Sequence, residues 1–128
     1  MAEVAPRILV VEDEGLVAMV VEETLLDAGY DVAGPVDTTA KALALISNGR
    51  IDGAVLDVNL GTERVDPVAH RLAAKAIPFV FATGYAAVET LPEGFRDRIT
   101  ILKPYTAAQL QNALGRVLTE KDEGETAK

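Results

Sequence analysis

Five polar side chains stand where apolar runs stop. Glu12 and Asp13 follow Ile8 to Val11 in "RILVVEDE". Asp57 closes Ala54 to Leu56 in "AVLDVNLG". Thr83, with Gly84 beside it, follows Phe79 to Ala82 in "PFVFATGY", and Lys103 follows Ile99 to Leu102 before Pro104. A carboxylate among buried aliphatics is costly unless a cation or hydrogen bonds compensate it. Three carboxylates brought together repel and raise one another's pKa, and a divalent cation relieves that. An all-oxygen set with no His or Cys suits Mg²⁺, with Mn²⁺ as a substitute. Lysine is a point charge for a carboxylate or phosphoryl oxygen. The threonine hydroxyl donates one hydrogen bond to such an oxygen, and the glycine leaves the backbone beside it open. Together these are the parts needed to place a phosphoryl group on an aspartate and spread its charge.

These residues lie far apart in sequence, so the fold has to bring them together. Short apolar runs alternate with amphipathic stretches. Ile8 to Val11 reads as a buried strand. Residues 16 to 28 show helical spacing, with Val17, Val20, Val21, Leu25 and Ala28 on one face and Gly29 as a stop. Asp31 to Val36 reads as a weaker strand, and Pro35 puts it at an edge or ends it there. Asp37 or Thr38 caps a second helix that carries Ala42, Leu45 and Ile46 and ends at Asn48-Gly49. Gly53 to Val58 is a third strand. Asp66-Pro67 opens a third helix, with aspartate as N-cap. Phe79 to Ala82 is a fourth strand. Gly84, Pro92 and Gly94 interrupt residues 85 to 98, which predicts at most a short, irregular fourth helix. Ile99 to Leu102 is a fifth strand, and Leu110, Ala113, Leu114, Val117 and Leu118 mark the last helix. Near-continuous apolar strands are covered on both faces. The expected fold class is therefore α/β, a doubly wound five-stranded parallel sheet. Residues 1 to 6 are expected to be a tail, 7 to 119 the domain, and 120 to 128 a polar tail. In a parallel sheet the carboxyl ends of the strands share one edge, where ligands bind. That edge would gather Glu12, Asp13, Asp57, Thr83 and Lys103.

Composition narrows the function classes. The 128 residues fit one domain, and 49% hydrophobic with 25% charged residues is ordinary for a globular protein. With no cysteine there is no disulfide scaffold, thiolate metal site or cysteine nucleophile. The net charge of −8 argues against nucleic acid and anionic membrane as partners. The N-terminal apolar run is too short for a signal peptide or membrane span, so the expected location is cytoplasmic.

The ordered set "ILVVEDE", "AVLDVNLG", "FATGY" and "LKPY" resembles the receiver domains of two-component response regulators, over roughly residues 7 to 119. The resemblance implies a flavodoxin-like fold with Asp57 as phosphoacceptor. It implies that Mg²⁺ is held by Glu12, Asp13, Asp57 and the backbone carbonyl of Asn59. It further implies that Thr83 and Lys103 contact the phosphoryl group and that the Lys103–Pro104 bond is cis. The implied partners are a sensor histidine kinase or histidine phosphotransferase and an unknown downstream protein. The sequence after the last helix is expected to be too short for an output domain. The module would then signal by partner binding, phosphorelay or acting as a phosphate sink, and would not be a turnover enzyme. "PFVFATGY" is similar to the single-domain FAT GUY subgroup, whose fourth helix is reduced. Two positions depart from the wider family. Gly61 stands where proline often follows the phosphoacceptor by four, and Thr100 stands where an aromatic residue often precedes the lysine by three. Gly84, Tyr85, Thr100 and Tyr105 are the candidate switch or water-path positions.

Two competing readings remain. A haloacid-dehalogenase-like phosphatase also uses a strand-end aspartate, but it needs a second acid two residues on, where this chain has Asn59. A degenerate receiver would bind a partner without phosphorylation. His70 is expected on the exposed side of the third helix, and Phe79 and Phe81 in the core.

Overall fold

The structure, a computed structural model, describes residues 4–84 and 90–126. The chain runs β1 (Arg7–Val11), α1 (Gly15–Asp27), β2 (Asp31–Val36), α2 (Thr39–Asn48), β3 (Gly53–Leu56), β4 (Asn59–Leu60), β5 (Glu63–Arg64), α3 (Asp66–Ala74), β6 (Phe79–Thr83), β7 (Thr100–Leu102) and α4 (Ala107–Thr126). Five strands form a parallel sheet in the order β2-β1-β3-β6-β7. The expected architecture is thus the observed one, with β2 and its Pro35 at an edge.

Strand periodicity explains the long apolar runs. Successive side chains point to opposite faces. Leu9, Val11, Ala54, Leu56, Phe79 and Phe81 pack toward α2 and α3 with Ala42, Ile46, Val68 and Leu72. Ile8, Val10, Val55, Val80 and Ala82 pack toward α1 and α4 with Val21, Leu25, Leu110 and Leu114. Every residue of β3 and β6 is buried. The register sets the site: Val11 pairs with Leu56, Leu56 with Phe81, and Thr83 with Leu102. The next residues along β1, β3 and β7 are therefore Glu12, Asp57 and Lys103, at one edge. Backbone hydrogen bonds extend the ladder there, from Asp57 N–H to the Val11 carbonyl at 3.0 Å and from Lys103 N–H to the Thr83 carbonyl at 2.9 Å.

Several local expectations need correction. α1 buries Ala18, Val21 and Leu25, while Val20 is 57% exposed together with Leu16 and Met19. The helix is apolar on most of its circumference, so periodicity did not single out one face. α3 has Val65 at its N-cap and Asp66 inside the first turn, where the carboxylate faces the helix dipole without capping an amide. Thr38, not Asp37, caps α2, accepting from the Lys41 N–H at 3.2 Å. Between β6 and β7 no α-helix lies among the described residues, which agrees with the expectation of at most a short one. The α4 backbone runs on to Thr126, into the segment read as a polar tail.

One element was not foreseen. β4 and β5 form a small antiparallel hairpin directly after Asp57, pairing Asn59 with Arg64 and Leu60 with Glu63. Gly61 turns it with φ of 67°. Proline is fixed near −65° and cannot adopt that conformation, which accounts for glycine at this position. Gly61→Ala is expected to lower stability by about 1–2 kcal/mol and Gly61→Pro by more. Urea denaturation of the two variants checks the order; equal midpoints to wild type would mean the turn is not strained for an L-residue.

Candidate functional site

The carboxyl edge of the sheet opens into a cleft of about 620 Å³ that includes Asp13, Asp57, Asn59, Thr83, Gly84 and Lys103. Asp57 sits at its floor, only 6% exposed. Its two oxygens have different company. Oδ1 accepts from Thr83 Oγ1 at 3.0 Å and from the Asn59 N–H at 3.4 Å. Oδ2 lies 2.9 Å from Lys103 Nζ. Thr83 is itself 1% exposed, so its hydroxyl is committed to this carboxylate.

Lys103 also reaches Glu12 Oε1 at 2.8 Å, and Glu14 Oε1 at 3.4 Å. Glu12 is 5% exposed and its Oε2 accepts from the Glu14 N–H at 3.1 Å. Burial pushes the Glu12 carboxyl up to about 7. The Lys103 hydrogen bond and the Glu14 amide oppose that rise, and the Asp57 charge adds to it. Burial by itself would lower the Lys103 ammonium, but its hydrogen bonds to Glu12 and Asp57 outweigh this and raise it. The contact therefore favours the charged lysine, while burial works against the charged form of Glu12.

Asp13 is exposed at the rim. One oxygen each from Glu12, Asp13 and Asp57 lies within 4.8 Å of the other two. Three hard oxygen donors of this spacing, with one side open to water, fit Mg²⁺, which binds one or two carboxylates directly and keeps waters for a phosphate oxygen to replace. Asn59 lines the same cleft, next to these donors.

The candidate switch residues are not equally placed. Gly84 lines the cleft, and a Cβ there would meet open space. Tyr85 lies outside the described residues. Thr100 donates from its hydroxyl to the Arg98 carbonyl at 3.3 Å and makes no described contact with the carboxylates. Tyr105 buries its hydroxyl with no hydrogen-bond partner among the described residues. Its phenol is pushed up to about 12, by burial first and then by the Glu12 charge. Lys103–Pro104 is cis. His70 is exposed, with its ring edge against Phe95 at 5.1 Å, and Phe79 and Phe81 are fully buried.

Two residues of the cleft were not singled out by the sequence. Glu14 faces Lys103, two residues past Glu12. Arg64 lines the cleft from β5. Its Nε pairs with Asp66 Oδ1 at 2.9 Å, and its Nη2 donates to the Thr90 carbonyl. Its placement follows from the hairpin register, which two-residue strands do not announce.

Comparison with known proteins places this geometry. A family model described as the response regulator receiver domain matches residues 8–115. The solution structure of SdrG from Sphingomonas melonis Fr1 is 46% identical; the match covers 91% of this chain and 99% of that one, with a TM-score of 0.80. SdrG has also been solved in a BeF3-activated conformation, at the same identity and coverage and a TM-score of 0.75. A response regulator receiver protein from Sinorhizobium medicae WSM419 is 36% identical over 91% of this chain and 97% of its own, with a TM-score of 0.79. The phyllosphere-induced regulator PhyR of Methylorubrum extorquens is 29% identical over 91% of this chain, which spans 45% of PhyR's length. The chain belongs to the family of response regulator receiver domains.

Proposed function

We propose that this chain is a phosphorylation-controlled signalling module in which Asp57 accepts the phosphoryl group. The observation that carries the reading is the floor of the cleft. A buried carboxylate is held between a hydroxyl and an ammonium, and two further carboxylates stand within cation-sharing distance.

The chemistry follows from those contacts. The phosphoryl donor is a phosphohistidine on a kinase or phosphotransferase. A carboxylate oxygen of Asp57 attacks phosphorus, the P–N bond breaks, and its electron pair returns to the imidazole. Lys103 and Thr83 now donate to Asp57, and both can transfer those donors to the phosphoryl oxygens as charge builds there. Mg²⁺ at Glu12, Asp13, Asp57 and the Asn59 carbonyl would neutralise charge on the transferred group. Asn59 cannot protonate a leaving group, so the site accepts phosphoryl without the acid that phosphatase turnover needs. The BeF3-activated form of SdrG supports this reading, since beryllium trifluoride mimics a phosphoryl group on a carboxylate. Leu16, Met19 and Val20 are exposed at the end of α1 nearest the cleft, which suits a protein partner at that edge. Among the described residues no helix is long and apolar enough to cross a membrane.

Incubation with acetyl phosphate and Mg²⁺ should add one phosphoryl group, read by intact mass, and Asp57→Asn should add none. Lys103→Met should keep Asp57 but slow loading by about 10²-fold or more, because the phosphoryl oxygens lose a charged donor. Equal labelling of wild type and Asp57→Asn would sink the assignment.

The metal half is tested separately by thermal unfolding without any phosphodonor. Mg²⁺ at about a hundred times its Kd should stabilise wild type by about 2.7 kcal/mol. Asp13→Ala removes an exposed ligand and should abolish most of that gain while leaving metal-free stability nearly unchanged.

A further inference from the structure

The charge balance of the cleft points to one more participant. Glu12, Asp13, Glu14 and Asp57 bring four carboxylates to this edge, and Lys103 is the cation placed among them. Loading converts the Asp57 carboxylate into an acyl phosphate carrying close to two negative charges. Arg64 lines the same cleft. Its backbone is tied to the phosphoacceptor segment: it pairs with Asn59 across the hairpin, and the Asn59 N–H already donates to Asp57 Oδ1.

The contacts of the Arg64 side chain are unequal in strength. Nε is paired with the Asp66 carboxylate at 2.9 Å, a charge-assisted bond. Nη2 donates to a neutral main-chain carbonyl, that of Thr90. A phosphoryl oxygen is a much stronger acceptor for a guanidinium than a peptide carbonyl, and the planar fork suits it. The side chain is 43% exposed, so it is free of the packing that would prevent it from turning.

We propose that Arg64 is a third phosphoryl-contacting side chain, which gives up the Thr90 carbonyl for a phosphoryl oxygen when Asp57 is loaded and keeps Asp66 as its anchor. The exchange takes one hydrogen bond from the Thr90 carbonyl. The proposal rests on Asp57 being the phosphoacceptor.

The test is titration of the full chain with beryllium trifluoride in saturating Mg²⁺, by calorimetry and by the Thr90 carbonyl ¹³C resonance. Arg64→Ala should weaken beryllium trifluoride binding about tenfold with Mg²⁺ affinity within about twofold of wild type, and Arg64→Lys should recover part of the loss. The Thr90 resonance should shift on binding in wild type and already sit near its shifted position in Arg64→Ala. Arg50→Ala is the control. Arg50 has a similar pairing, with Asp52 at 3.1 Å and the Ala5 carbonyl at 3.0 Å, at the opposite edge of the sheet, and its loss should leave binding unchanged. Three results overturn the proposal. Arg64→Ala may match wild type within twofold, it may weaken binding no more than Arg50→Ala does, or it may lose Mg²⁺ affinity in parallel. If Asp57→Asn binds beryllium trifluoride as wild type does, the phosphoacceptor reading falls and takes this one with it; failure of the Arg64 arm alone leaves that reading standing.

Discussion

The site depends on one ammonium. Lys103 Nζ lies 2.8 Å from Glu12 and 2.9 Å from Asp57, and both carboxylates are almost fully buried. Without that charge two acids would share a poorly solvated edge, and at least one would take up a proton. Glu12 is already pushed up to about 7 with the lysine in place, which shows how finely the edge is balanced. The lysine opposes that rise, and ionised carboxylates are what a divalent cation and a phosphoryl donor both require. Removing one member of such a buried group leaves the others uncompensated, so the site behaves as a unit.

The sheet exists in this form because that ammonium has to arrive from a distant strand. Asp57 and Lys103 are 46 residues apart in sequence. Parallel pairing needs a crossover between neighbouring strands, and α1, α2 and α3, which follow β1, β2 and the β4–β5 hairpin, and α4, which follows β7, cover the two faces. Both faces of the sheet are then buried, which demands apolar residues along β3 and along β6 up to its last residue, Thr83. Polar residues are admissible only where the ladder ends. The same constraint that makes the core greasy therefore sorts Glu12, Asp57, Thr83 and Lys103 onto one edge.

This is why so much of the site was legible in the sequence. Apolar runs ending in an acid, a hydroxyl or a lysine are visible without coordinates, and the parallel sheet converts their ends into neighbours. What stayed hidden depends on register or on side-chain direction. Val20 sits in an α1 whose apolar residues run most of the way round, so its exposure could not be read from spacing. The hairpin at 59–64 has two residues in each strand, too few for a period-two signal. Arg64 gains its position only from that hairpin. Thr100 drew notice because of where it falls before Lys103, and its hydroxyl bonds to Arg98 instead.

The first departure from the wider family pattern, Gly61, lies in the hairpin. Glycine at 61 permits the positive φ that closes the hairpin, and proline would forbid it. The closed hairpin reaches two other parts of the chain. Glu63 accepts from the Thr39 N–H at 3.0 Å, putting a carboxylate at the first turn of α2, and Arg64 binds the Thr90 carbonyl. Asn59, in the same hairpin, donates to Asp57. A change in charge or in hydrogen bonding at Asp57 is thus one residue pair away from main-chain contacts at both α2 and Thr90. A threonine at 100 offers no aromatic ring whose rotation could report that change. On the proposal that Arg64 turns to the phosphoryl group, the two-strand element would carry that change by exchange of hydrogen-bond partners rather than by repacking of a ring against the core.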